Sequence, residues 1–286
     1  MLKHWISAIR PRTLPASLCP VIAAGAYGWY FDTFRPEIIG ICLVFALLAQ
    51  IASNLANDYF DYKNGMDREN RVGPRRAVAS GDISPKAMLF ATLSVLGLAC
   101  LVGCLLIYYS SWHLIWIGMI IVLFALAYST GPYPLASHGL GDVTVFIFFG
   151  LIAVGLSYYL QAGTMEPAVW AGSAAIGLLS VNILMVNNYR DMETDALSGK
   201  RTTVVMFGRK WVKWGYFING WLAVLLVAPF VGYIGLFMIP YLVMHVMTHR
   251  ELISKKGTEL NAVLARTAGN LFLFTVLLSL GLLILK

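Results

Sequence analysis

Apolar and polar positions divide the chain into long apolar runs separated by short clusters of charge, Gly and Pro. A bilayer core is crossed by about 20 apolar residues of α-helix. On that measure the runs predict nine membrane-spanning helices, over residues 14–31, 38–62, 85–108, 112–129, 141–161, 167–190, 212–231, 233–248 and 264–285. Residues 1–12 read as an interfacial segment: Lys3 and Arg10 resemble the basic start of a cleaved leader, but Arg12 and two prolines interrupt it. The seventh and eighth spans are the least separated, with only Val231-Gly232-Tyr233 between them. Fusing them would move the C-terminus to the other side.

Composition agrees. Of 286 residues 59% are hydrophobic and 12% charged, against about 45–50% apolar and about 25% charged in soluble domains. This excludes a soluble globular chain and a disordered one, and the expected organisation is a single intramembrane domain over 1–286. Cys19, Cys42, Cys100 and Cys104 all fall in apolar runs. Cys100 and Cys104 share a helix face, but no His or further Cys accompanies them, so they read as small packing residues rather than a metal pair.

Placement of charge changes the picture more than its sum, +7. With nine spans, all but Arg35 and Lys286 of the 21 Lys and Arg residues fall on one side, which the positive-inside rule makes cytoplasmic. That rule does not account for acids on the same side. The second span ends with Asn54, Asn57, Asp58 and Asp61 on one helical stripe, with Asp67 in the loop beyond Gly65. The sixth ends with Asn187, Asn188, Asp191 and Asp195 on a common face.

Carboxylates at helix C-termini oppose the macrodipole, and at membrane depth each costs about 2.5–3.5 kcal/mol. Two such stripes call for a compensating cation. Hard oxygen donors suit Mg²⁺, which takes one or two carboxylates together with substrate phosphate oxygens. Facing clusters therefore suggest a metal-bridged diphosphate. Basic residues follow each of them, and Arg75, Arg76, Lys200 and Arg201 are the preferred diphosphate grip. The competing readings are an Asp/Asn network that glues helices together and a cation-coupled transporter, although no comparable acid lies mid-membrane. A CDP-alcohol phosphotransferase is disfavoured because its motif is absent.

The run from Asn54 to Asp67 resembles the first Asp-rich motif of UbiA-type intramembrane prenyltransferases, and Arg190 to Asp195 with Gly199-Lys200-Arg201-Thr202-Thr203 resembles the second. The Asn-x-x-Asn-Asp start, the Gly-x-Asp close and Val72-Gly73-Pro74-Arg75-Arg76 are most similar to members acting on 1,4-dihydroxy-2-naphthoate in menaquinone synthesis. The resemblance implies an all-α polytopic bundle of nine helices around a central cavity, open to the cytoplasmic side and to lipid, in a bacterial inner membrane. It implies two Mg²⁺ ions bridging the motifs and a polyprenyl diphosphate. On this chain Asn54, Asp58, Asp61, Asp191 and Asp195 would be ligands, with Asp67 a further candidate because Gly65 stands where a third Asp is expected.

Relatives acting on 4-hydroxybenzoate carry basic residues after the fourth span, whereas Tyr128 to His138 contains no Lys or Arg. That fits an acceptor whose carboxylate is lost as CO2; a 4-hydroxybenzoate- or homogentisate-type acceptor is the alternative. Tyr59, Tyr128, Tyr133 and Tyr189 are candidates to face an allylic cation, and Asp61 or His138 to act on the acceptor hydroxyl. The expected partners are polyprenyl diphosphate, 1,4-dihydroxy-2-naphthoate and membrane lipids, with no nucleic acid.

Overall fold

The structure, a computed structural model, describes residues 1–65, 76–231 and 237–286. The regular elements there are helical: α1 (Leu2–Ile9), α2 (Leu14–Tyr30), α3 (Pro36–Lys63), α4 (Pro85–Leu105), α5 (Leu114–Ser129), α6 (Gly141–Val145), α7 (Ala153–Ala162), α8 (Pro167–Leu197), α9 (Thr203–Val231), α10 (Ile239–Ser254) and α11 (Leu260–Leu285). A π-helical stretch, Phe146–Ile152, joins α6 to α7, so Gly141–Ala162 forms one span-length element. Pro36, Pro85 and Pro167 start their helices where a missing N–H costs nothing.

Among the described residues, six helices are long and apolar enough to cross a membrane. They are Pro36–Lys63, Pro85–Tyr109, Gly141–Ala162, Pro167–Leu197, Thr203–Phe230 and Gly257–Leu285. α2 has 17 residues, and α5 and α10 have 16 each. At a rise of about 1.5 Å per residue they are about 24–26 Å long, shorter than the roughly 30 Å hydrocarbon core.

Three boundaries depart from the hydropathy reading. α8 continues seven residues past 190, so the whole second acidic motif is helical. α9 begins at Thr203 and breaks its helical path at Gly208, where φ is 81°. α10 is a separate helix that starts at Ile239; Gly232 and Tyr233 lie outside the described residues.

α8 contributes more buried residues than any other helix and packs against α2, α9, α11 and the π-helical stretch. A Cβ on Gly150 would stand 2.6 Å from the Ser173 carbonyl oxygen and 2.7 Å from Gly177 Cα. These two glycines therefore serve backbone-to-backbone packing, the small-residue contact that apolar surroundings require. α5 is the opposite case, with none of its residues buried. At the far end of the bundle Lys286 Nζ lies 2.5 Å from Asp32 Oδ1, which puts the end of α11 beside the α2–α3 turn.

Candidate active site

The C-terminal ends of α3, α5 and α8 and the starts of α2 and α11 surround one cavity of about 1400 Å³. Its charged end holds Asp61, Asp191 and Asp195 with Lys3, Arg10, Arg76, Arg190 and Lys200. Five cations against three acids leave that end positive, suited to anionic ligands. The remainder is apolar and runs along α5 and past Phe45, Phe148 and Phe149.

Local chemistry at the two helix ends explains the arrangement. α3 stops at Gly65, whose φ of 66° ends the helix and favours glycine over the aspartate expected there. α8 ends similarly: Gly199 has φ 77°, and the Lys200 N–H turns back to donate to the Asp195 carbonyl oxygen at 2.9 Å. That turn brings Lys200 Nζ to 3.6 Å from the Asp195 carboxylate.

Each lining acid has its own cation. Arg76 donates to the Asp61 carboxylate. Arg190 donates through Nε and Nη2 to both oxygens of Asp191, at 2.8 and 2.6 Å. The same guanidinium donates to the side-chain oxygens of Asn261 and Asn187, both at 2.9 Å. With Arg190 1% and Asp191 10% exposed, the pair is desolvated and its hydrogen bonds carry the compensation.

Other residues singled out from the sequence take different places. Asp58, 1% exposed, is absent from the cavity wall and accepts the N–H groups of Ala77 and Val78 at 3.1 and 3.0 Å. It thereby seats the turn that delivers Arg76. Asn54 borders the cavity, and its amide donates to the Ile9 carbonyl oxygen at 2.8 Å and Thr13 Oγ1 at 3.1 Å, tying the α1–α2 corner to α3. Arg201 is exposed and outside the wall; its N–H donates to the Ser137 carbonyl oxygen at 2.8 Å.

His138 is also outside the wall, stacked on Tyr133 at 3.7 Å between ring centroids. Of the four tyrosine candidates, Tyr128 lines the cavity and Tyr59, Tyr133 and Tyr189 do not. Cys100 and Cys104 are exposed on the cavity wall rather than packed in the core. Asp67 and Arg75 lie outside the described residues.

Sequence reasoning assigned Arg190, Lys3 and Arg10 to topology. The signal for Arg190 was its position inside the second acidic stripe. Arg10 carried none, because only its left-handed backbone, φ 55°, turns the chain between α1 and α2.

Among the described residues no group of three or more His, Cys, Asp or Glu converges tightly enough to hold a metal ion alone. Three carboxylates and the amides of Asn57, Asn187 and Asn188 nevertheless share the wall. This donor set fits Mg²⁺, which completes its shell with water and phosphate oxygens. Asp58→Ala is expected to cost about 1.5–3 kcal/mol of stability by freeing two buried amides, and to weaken binding of inorganic diphosphate, a probe of the positive end, by unseating Arg76. The Mg²⁺ dependence should stay unchanged; a shifted Mg²⁺ titration would make Asp58 a ligand instead of an anchor.

The profile of the UbiA prenyltransferase family matches residues 17–264. The chain is 32% identical to 1,4-dihydroxy-2-naphthoate octaprenyltransferase of Haemophilus influenzae, over 99% of this chain and 96% of that one. It is 38% identical to the Escherichia coli protein of the same name, over 71% of this chain and 68% of that one. Its fold matches a UbiA homolog from Archaeoglobus fulgidus bound to GPP and Mg²⁺, with TM-score 0.68, 15% identity and coverage of 94% and 98%. Taken with the paired acidic helix ends around one cavity, these matches establish that the chain is a multi-pass membrane protein belonging to the UbiA prenyltransferase family.

Proposed function

We propose that the protein transfers a polyprenyl group from polyprenyl diphosphate to the ring of 1,4-dihydroxy-2-naphthoate, with release of diphosphate and CO2, giving the demethylated menaquinol. The observation that carries this reading is the make-up of the cavity: a positive end lined by acid–base pairs, continuous with an apolar remainder, within about 1400 Å³. The relatives named above act on this acceptor by their names, and the Archaeoglobus structure holds a prenyl diphosphate with Mg²⁺.

Asp61, Asp191 and Asp195 are the residues that would hold Mg²⁺, in a two-ion arrangement spanning both motifs. When bound, the metal supplies positive charge against the departing diphosphate. Arg76 and Lys200, each already beside one of these acids, turn their charge to the diphosphate oxygens. The Tyr128 ring presents a π face to the allylic carbon. Lys3 and Arg10, on the α1 side of the same wall, add to the positive charge that draws anionic substrates to this end of the cavity. Apolar walls keep water from the allylic carbon, which otherwise would be hydrolysed.

The finer architecture follows the charge pattern: nine spans, with the polar end and the N-terminus cytoplasmic in a bacterial inner membrane. The Lys286–Asp32 contact supports it, because it groups the C-terminus with the α2–α3 turn on the sparsely charged face.

The test is turnover of purified protein with Mg²⁺, octaprenyl diphosphate and 1,4-dihydroxy-2-naphthoate. Diphosphate, CO2 and prenylated naphthoquinol should appear in equal amounts, and chelation should stop all three. Diphosphate release with 4-hydroxybenzoate but not with the naphthoate would overturn the acceptor while keeping the family chemistry.

A further inference from the structure

Asp142 differs from every other acid near the cavity. Asp61, Asp191 and Asp195 each sit against an Arg or Lys, whereas Asp142 makes no ion pair among the described residues. One of its oxygens, Oδ2, accepts the Thr203 hydroxyl at 2.6 Å. The other, Oδ1, is closed off from solvent and has no hydrogen-bond partner among the described residues. A buried unsatisfied oxygen is costly and in a native fold calls for a reason.

Its surroundings point to one. Asp142 stands in the first turn of α6, and a Cβ on the preceding Gly141 would lie 3.7 Å from the Tyr128 hydroxyl. That tyrosine lines the cavity. Thr203, which holds Asp142, follows the cavity-lining Thr202 and opens α9. The Arg201 N–H to Ser137 carbonyl bond, at 2.8 Å, braces the same junction. Asp142 is thus a buried carboxyl group with one oxygen unpaired among the described residues, fixed in place one residue from the spot where a wall phenol rests.

Prenyl transfer creates the positive charge that such a group would meet. As the C–O bond to diphosphate breaks, a C–C bond forms from the carboxylate-bearing ring carbon to the first prenyl carbon. Positive charge then spreads onto the ring hydroxyls. The electron pair of the ring–CO2 bond returns to the ring as CO2 departs, so the hydroxyl proton is held through the step and kept in the product.

We propose that Asp142, positioned by Thr203 and acting through the Tyr128 phenol, stabilises this charge at an acceptor hydroxyl. Asp142 is a positioning residue, and Tyr128 is the group that touches the acceptor. The inference rests on the prenyl-transfer reading above.

The experiment compares wild type, Asp142→Asn, Thr203→Val, Thr203→Ser and Tyr128→Phe with 1,4-dihydroxy-2-naphthoate and with 1,4-dimethoxy-2-naphthoate, which has no hydroxyl proton. Thermal unfolding and the KM for octaprenyl diphosphate are measured on the same preparations. With the dihydroxy acceptor, Asp142→Asn should lower kcat by about 100-fold with an unchanged KM for octaprenyl diphosphate. Thr203→Val should lower kcat by about tenfold and Thr203→Ser should restore it. The Asp142→Asn, Tyr128→Phe double variant should be no worse than the poorer single one, because both act in one relay. With the dimethoxy acceptor, wild type and Asp142→Asn should turn over at equal, low rates.

An equal Asp142→Asn loss on both acceptors would overturn the proposal and make Asp142 structural, as would a raised KM for octaprenyl diphosphate together with a lowered melting temperature. Wild-type inactivity toward every aromatic acceptor would instead overturn the functional reading, and this inference with it.

Discussion

Asp191→Ala is expected to reduce diphosphate release by at least about a thousandfold, which extends the roughly 10²–10³ lost with a single preorganised charge contact. Two effects act together. The variant removes a candidate Mg²⁺ oxygen from the centre of the cavity wall, and it leaves Arg190 with only the two Asn oxygens as partners. That buried guanidinium would then compete with Arg76 and Lys200 for the diphosphate in an unproductive position. Single-turnover assays at saturating Mg²⁺ separate the contributions. Asp191→Asn keeps an oxygen for Arg190 and should recover stability but not rate. Recovery of rate in Asp191→Asn would show that charge at this position is dispensable.

Arg190→Ala is expected to be the most destabilising single change at the site. Removing one partner of a buried pair costs about 3–5 kcal/mol, because the remaining charge stays desolvated. For a chain of this size that is a fall in melting temperature on the order of 10 °C. The variant strands Asp191 and leaves Asn187 and Asn261 without their shared donor, loosening the tie between α8 and α11. Thermal unfolding in detergent with and without Mg²⁺ and inorganic diphosphate is the check. The added ions should raise the melting temperature of Arg190→Ala more than that of wild type, since they neutralise the stranded carboxylate. Equal shifts would mean that Asp191 does not face the metal.

These two outcomes bear on the design of the acidic helix ends. A helix C-terminus repels anions, and both motifs place carboxylates there. The fold resolves the conflict by giving each lining acid a basic partner, supplied by the preceding residue in the chain (Arg190), by the turn after the helix (Lys200) or by a separate segment (Arg76). Such pairs set each acid against a cation at the cavity wall and place those cations where a diphosphate would meet them.

Much of this was legible in the residues. The apolar runs located the six helices that are long and apolar enough to cross a membrane among the described residues, because helix length in a bilayer is set by hydrocarbon thickness and needs no tertiary information. The acidic stripes were visible from helical periodicity, the basic residues from their place just beyond those stripes and Tyr128 as an aromatic at the end of the fourth span, and the structure brings Asp61, Arg76, Tyr128, Asp191, Asp195 and Lys200 to one cavity.

What only the tertiary structure decided was which members of each stripe face inward. A stripe on an isolated helix spans two or three neighbouring directions, and packing chooses among them. Asp58 and Asp61 are one turn apart, yet one seats a backbone turn and the other meets Arg76. The sequence likewise placed Lys3 and Arg10 among topology charges, since no local pattern tells that a left-handed residue folds α1 back onto the cavity. Periodicity determines what a helix can present; the partners packed around it determine what it does present.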